Sequence, residues 1–259
     1  MRSLHRAGRD PDAGGAPLPL PFRAFDQYDI ALRRGELTMV AAAPGAGKST
    51  LALAMAMRIT VPTLYFSLDS GEKTQKARAL SMITGLTVKQ CALNMEFDEH
   101  TANLLMRDHA NHIKWDFRAE SLWDLEEEVD VYRELMGSDP HLVVIDNASD
   151  LAYENGDEYQ SLRALMREVK RWARELNAAF LVLHHTSEGF DGNPCPPLRS
   201  VHGKVNQKPA NVLTIGEPRD GFLPIAPVKN RNGFQDRSGN TALWLRYDPA
   251  TMTLKDPDE

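Results

Sequence analysis

The sequence predicts an α/β protein: a mostly parallel sheet flanked by helices and continued by antiparallel strands toward the C-terminus. Three observations carry this expectation. Near-continuous apolar runs recur at 36–43, 62–68, 112–117, 142–146 and 179–184, the pattern of strands covered on both faces. Amphipathic segments separate several of them, and strands alternating with helices close into a parallel sheet through right-handed crossovers. Beyond Val212 the runs shorten, to 212–215, 223–228 and 241–247, and Gly, Asn and Asp turns join them as in hairpins.

The chain has 259 residues, enough for one large core. Residues 1–21 are rich in Gly, Pro, Arg and Asp with little to bury, and read as a flexible arm. Residues 22–259 read as a single domain. Hydrophobic residues at 42% and charged residues at 25% fit a soluble globular protein. The longest apolar candidate, 51–57, is far too short to span a bilayer. The N-terminal arginines have no apolar segment behind them, so no secretory signal is expected. Cys91 and Cys195 lack metal-ligand spacing and read as free thiols in a reducing cytoplasm. A net charge of −6 excludes a protein coated in nucleic acid over its whole surface, and leaves room for a local basic loop.

The first strand runs into Ala42-Ala43-Pro44-Gly45-Ala46-Gly47-Lys48-Ser49, which matches G-x-x-x-x-G-K-[ST] with Ala at the first position. Gly45 and Gly47 let successive backbone N–H groups turn inward around phosphate oxygens, and the helix expected at 49–58 adds its dipole. Lys48 is placed to reach the β- and γ-phosphates and Ser49 to give its hydroxyl to Mg²⁺. Pro44, Gly45, Ala46, Gly47, Lys48, Ser49 and Thr50 are thus the candidate nucleotide cradle, with ATP and Mg²⁺ the implied cofactors. The run Leu142-Val143-Val144-Ile145-Asp146 ends in a carboxylate at the edge where open α/β sheets put their ligands, which makes Asp146 the second candidate metal ligand. Between the strands, Ser121 with Asp124 predicts an N-terminal cap for a helix over 121–136. Leu162, Leu165, Met166, Val169, Trp172 and Leu176 form a 3.6-period stripe over 157–176.

These segments occur together with Tyr65-Phe66-Ser67-Leu68-Asp69-Ser70, 181–186 and Lys229-Asn230-Arg231-Asn232-Gly233. Their order is that of the motor domain of DnaB-like replicative helicases. Over roughly residues 22–248 the chain resembles that family, and within it the short single-domain bacteriophage members. The resemblance implies a RecA-like P-loop core. It implies that Asp69 stands where the family has the glutamate that polarises the attacking water, one methylene shorter. It implies that His185 stands where a glutamine senses the γ-phosphate; a neutral imidazole donates one hydrogen bond, and the adjacent His184 is an equal candidate. Lys229 and Arg231 resemble the family's trans-acting pair, which reaches the γ-phosphate held by the next subunit. Without the resemblance they read as two surface cations of a hairpin.

Between Gly192 and Gly216 there is no acidic residue, while Arg199, Lys204 and Lys208 are basic. In the resembling helicases the corresponding loop lines the central channel, which makes these three the candidate nucleic-acid contacts; read alone, the segment is a surface loop. It has no aromatic residue in its basic part, so backbone contacts with little sequence preference are expected. The resemblance further implies single-stranded DNA as partner, a homo-oligomeric and hexameric ring, replisome or loader proteins as possible further partners, and no membrane. Two other readings stay open. One is a different RecA-like ATPase, such as a recombinase or replication motor. The other is a non-unwinding, ATP-gated assembly or loader subunit, motivated by Asp69 and by the lack of the N-terminal domain of full-length DnaB proteins.

Overall fold

The computed structural model describes residues 15–151, 158–187 and 192–259. Its sheet has nine strands in the order β3-β2-β4-β5-β1-β6-β7-β8-β9. They are β1 (Leu37–Ala42), β2 (Thr63–Ser67), β3 (Ile113–Asp116), β4 (Leu142–Asp146), β5 (Ala179–His185), β6 (Asn211–Ile215), β7 (Phe222–Asn230), β8 (Leu243–Asp248) and β9 (Thr253–Lys255). The first six pair in parallel. From β6 onward the pairing is antiparallel, as the shortened runs beyond Val212 predict. The central strand β1 is buried along its whole length, so its run of mostly apolar residues has no solvent face to alternate toward.

Helices cover both faces. Helix α1 (Lys48–Ile59) packs in one cluster with Tyr65, Val144, Leu181, Leu213 and Leu223. The second cluster holds Leu125, Val129 and Tyr132 of α5 (Leu122–Met136), and Leu162, Leu165, Met166, Val169 and Trp172 of α6 (Glu158–Glu175), against Met39, Val143, Phe180 and Val212. Burying each large side chain of that α6 stripe stabilises the fold by roughly 1.5–3 kcal/mol. The expected cap is present: Ser121 accepts from the Asp124 N–H while the Asp124 carboxylate accepts from the Ser121 N–H.

The stretch between β2 and β3 folds into three helices that the apolar pattern did not mark: α2 (Glu72–Thr84), α3 (Val88–Phe97) and α4 (Glu99–Ala110). Their shared core is small, centred on Ala77, Leu80, Cys91 and Ala102. Short helices that bury mostly alanine leave a faint periodic signal. Of the expected N-terminal arm, residues 1–14 lie outside the described residues, and its last residues are docked. Leu18 is buried and its N–H donates to the Leu32 carbonyl at 2.8 Å. The buried Asp256 carboxylate accepts the backbone N–H groups of Arg23 (3.0 Å) and Ala24 (2.8 Å), joining the residues after β9 to the turn at Arg23–Tyr28. No helix among the described residues is long and apolar enough to cross a membrane.

Candidate active site

The phosphate-loop motif lies between the end of β1 and the start of α1. Gly45 and Gly47 have φ of 75° and 99°, a region that costs an L side chain steric energy and glycine none. A Cβ on Gly47 would meet only Leu223, near the start of β7, at ordinary van der Waals distance, so the backbone angle is what calls for glycine there. The loop's lysine is buried. Lys48 Nζ donates to the carbonyls of Ala42 (3.1 Å) and Ala43 (3.0 Å) and lies 3.4 Å from His185 Nδ1. Burial lowers the Lys48 pKa, and the negative charges of Asp146, Asp69 and Asp150 oppose that shift.

Asp146 ends β4 beside the loop and is 3% exposed. Its Oδ1 accepts from Ser49 Oγ at 3.0 Å and its Oδ2 from the hydroxyl of Tyr65 on β2 at 2.9 Å. Burial raises the Asp146 pKa, and the hydrogen bonds from Tyr65 and Ser49 pull it back down. A hydroxyl and a carboxylate meeting at the C-terminal sheet edge form an all-oxygen donor set, which suits a hard divalent cation such as Mg²⁺. The residues present therefore fit the implied metal.

Asp69 is exposed on the turn after β2, close enough to act electrostatically on Lys48, Asp146 and Asp150. The turn is clamped from α2: Gln75 Nε2 donates to Ser67 Oγ (2.8 Å), Ser67 Oγ to the Ser70 carbonyl (2.6 Å), and Arg78 to Ser70 Oγ (3.1 Å). The two histidines divide. His185 is half-buried with Nδ1 toward the Lys48 ammonium, so Nδ1 is the acceptor and the ring is neutral with its proton on Nε2. Burial, then the Lys48 charge, lowers its pKa. His184 is fully buried and points elsewhere, with Nδ1 3.2 Å from Ser149 Oγ and Nε2 3.2 Å from the His202 carbonyl. Burial brings it to about 4. Of the two rings the sequence left open, His185 is the one beside the phosphate loop.

Lys229 and Arg231 lie at the other edge of the sheet. Asn230, the last residue of β7, pairs with Asn211 at the start of β6, and Asn211 pairs with Thr38 near the start of β1. The phosphate loop follows the far end of β1, about 17 Å away at a strand rise of ~3.3 Å per residue. Arg231 is exposed in the bend after β7, while Lys229 is half-buried within the strand. Gly233 closes that bend because a Cβ there would collide with the Tyr28 carbonyl and the Asp29 side chain. Around it stand two cations the sequence did not single out, Lys170 and Arg174 of α6. Burial, then repulsion by Arg231, Arg174 and Lys208, lowers the Lys170 pKa.

The basic segment is anchored along its length. Cys195, Val201 and Val205 are buried in the second core cluster, and short 3-10 turns form at Leu198–Ser200 and His202–Gln207. Arg199 and Lys208 are exposed; the Lys204 side chain lies outside the described residues. Three further site residues escaped the sequence reading. Tyr65 opens the strand-end segment that carries the resemblance but has no assigned role there, and Arg78 carries no motif. Asp150 did carry a signal, the repeat of Asp four residues after Asp146.

A family model described as an AAA domain matches residues 28–189. The Gene 65 protein of Mycobacterium phage L5 is 33% identical over 255 residues, covering 94% of each chain. The Gene 65 protein of Mycobacterium phage D29 is 34% identical over 234 residues, 86% of this chain and all of that one. Among solved structures, a DnaB-like replicative helicase described with its interactions with primase superposes with a TM-score of 0.79 at 17% identity, over 99% of this chain and 67% of that one. A structure described as an ATPase domain superposes at 0.78 and 18% identity, over 93% of this chain and 91% of that one. At these identities the likeness is one of fold.

Proposed function

The chain belongs to the AAA domain family, and from that premise we propose that it is an ATP-driven DNA helicase motor of the DnaB-like kind, working on single-stranded DNA as a ring. The observation that carries the reading is the division of labour across the sheet. One edge gathers Lys48, Ser49, Asp146, Asp69 and His185 around a phosphate loop. The opposite edge presents Arg231, exposed and out of reach of the same loop. Two copies set edge to edge complete one catalytic set. The acid-free segment 192–216 then supplies the strand contacts through Arg199, Lys204 and Lys208.

In this reading the cradle from Pro44 to Thr50 holds the triphosphate, with the Lys48 ammonium on the β- and γ-oxygens. Ser49 and Asp146 would hold Mg²⁺, which would supply positive charge against the phosphates. Asp69 orients a water and takes its proton as the water oxygen bonds to the γ-phosphorus and the bond to ADP breaks. The Nε2–H of His185 donates to a γ-oxygen, and Arg231 from the next copy, with Lys229 beside it, neutralises charge on the transferred phosphoryl group.

The decisive measurement is ATP turnover with and without single-stranded DNA, beside unwinding of a forked duplex. DNA should stimulate turnover, and stimulation should fall steeply as salt rises because phosphate contacts release counterions. Lys208→Ala should weaken strand binding by about threefold to tenfold and flatten the salt slope by roughly one unit per subunit contact. Salt-insensitive stimulation, or turnover without unwinding, would sink the helicase reading.

Tyr65 gives a second test. Its hydroxyl fixes the Asp146 carboxylate, and partners that orient a metal ligand are worth about 10–100-fold in metal affinity. Tyr65→Phe is expected to weaken Mg²⁺ binding to the ADP-bound protein about tenfold by calorimetry, with metal-free ADP binding unchanged. Equal Mg²⁺ affinity would leave Tyr65 only a packing role against Trp115, whose ring lies 4.6 Å from its own.

A further inference from the structure

We propose that Lys229 is a positioning residue for the basic segment 202–209, and that this segment is a strut between the chain's own nucleotide site and the edge that carries Arg231. The inference rests on the strand-binding role proposed above and adds a residue and a coupling to it.

Lys229 Nζ donates to the carbonyls of Asn206 (2.8 Å), Gln207 (3.2 Å) and Pro209 (2.7 Å). An ammonium has three protons, so its donor capacity is fully used on this one stretch of backbone. The carbonyls belong to the end of the 3-10 turn His202–Gln207 and the residues just after it, where a helical segment leaves its last acceptors without partners. Lys208 sits among them with its side chain exposed. The position of this candidate strand contact is therefore set from below by a side chain of β7.

The other end of the same stretch is tied to the nucleotide edge. His184 Nε2 donates to the His202 carbonyl, and His184 Nδ1 faces Ser149, three residues beyond Asp146. Between the two anchors Val205 is buried and Asn206 Nδ2 donates to the Leu198 carbonyl at 2.9 Å. Residues 202–209 thus span from the neighbourhood of the metal carboxylate to the neighbourhood of Arg231.

The clamp sits in a crowd of like charges. Burial, then repulsion from Arg231, Lys170 and Arg237, brings the Lys229 pKa down to about 8. The carbonyl cage is what holds an ammonium there. Because all three protons are committed, Lys229 reaches a phosphate on another copy only by letting go of the segment. Holding the strand contacts and joining Arg231 at the boundary are mutually exclusive states of one side chain, which links nucleotide state to strand grip.

The test uses the full chain carrying Lys229→Met, with amide hydrogen exchange and single-strand binding by anisotropy in a non-hydrolysable ATP analogue. Amides of 203–210 should exchange about tenfold faster, those of β1 and β6 should keep wild-type rates, and the strand Kd should rise about tenfold. Wild-type exchange at 203–210 together with wild-type strand affinity would overturn the proposal and leave Lys229 a boundary cation alone. Should the Met variant lose protection in β1 as well, Lys229→Gln carries the test on the same two readouts. It keeps part of the stem and two N–H donors, so intermediate exchange supports the clamp and wild-type values refute it. If the wild-type protein binds no single strand, the helicase reading falls, and the exchange data still judge the clamp by themselves.

Discussion

Lys48→Ala should lower ATP turnover by roughly 10³-fold or more. The loss follows from where the ammonium sits. It is buried and held by the carbonyls of Ala42 and Ala43, and the charges of Asp146, Asp69 and Asp150 oppose the lowering of its pKa by burial. Removing it leaves three carboxylates around a polyanion with no cation from the chain's own loop to offset them. A charge that acts on phosphate oxygens in a water-poor site counts for far more than a surface lysine. Phosphate release at saturating ATP is the measurement, with thermal unfolding as the control for a folded variant. Turnover within tenfold of wild type would remove Lys48 from the site.

Arg231→Ala should cut turnover by about 10³–10⁵-fold, roughly 4–7 kcal/mol of barrier, while nucleotide affinity changes by less than about twofold. The asymmetry comes from geometry: Arg231 lies at the sheet edge away from its own phosphate loop, so it makes no contact with the nucleotide its own chain holds. Mixing identifies the donor. In an equal mixture with Asp69→Asn, an Arg231→Ala copy supplies an intact cradle and an Asp69→Asn copy supplies an intact arginine. One half times one half predicts activity at about a quarter of boundaries. Two inactive proteins that stay inactive when mixed would exclude action in trans.

The parallel core was legible because the sequence writes it twice, as apolar runs and as the motifs that end them. Strand β4 shows this: Leu142 to Ile145 give a buried strand, and Asp146 ends it against Ser49 of the phosphate loop. The cradle was legible for the same reason, since Gly45, Gly47, Lys48 and Ser49 are local in sequence and need only one strand and one helix to converge. What was not legible depends on contacts far apart in the chain. Tyr65 reads as one more strand aromatic until β2 lies beside β4 and its hydroxyl meets Asp146. Lys229 reads as a cation in a Lys-x-Arg-x-Gly element until β7 lies under 206–209. The choice between His184 and His185 turns on which way a strand-end residue faces, and adjacent residues of a strand face opposite ways. Helices α2 to α4 were hidden for a different reason, because a core built on Ala77, Leu80, Cys91 and Ala102 barely modulates hydrophobicity.

Placing the loop and the arginine at opposite margins of one sheet also restricts symmetry. In the proposed reading, a dyad, which sets residue i against j and j against i, finishes sites only where loop and arginine lie on one shared face. Head-to-tail stacking joins unlike margins without that condition, and each addition leaves a fresh head and a fresh tail. Such a series ends only when the rotation between neighbours divides a full circle; otherwise it climbs as an open spiral. The twist between two adjacent copies therefore fixes how many sites in an assembly are finished, and a spiral always carries one unfinished site at its seam.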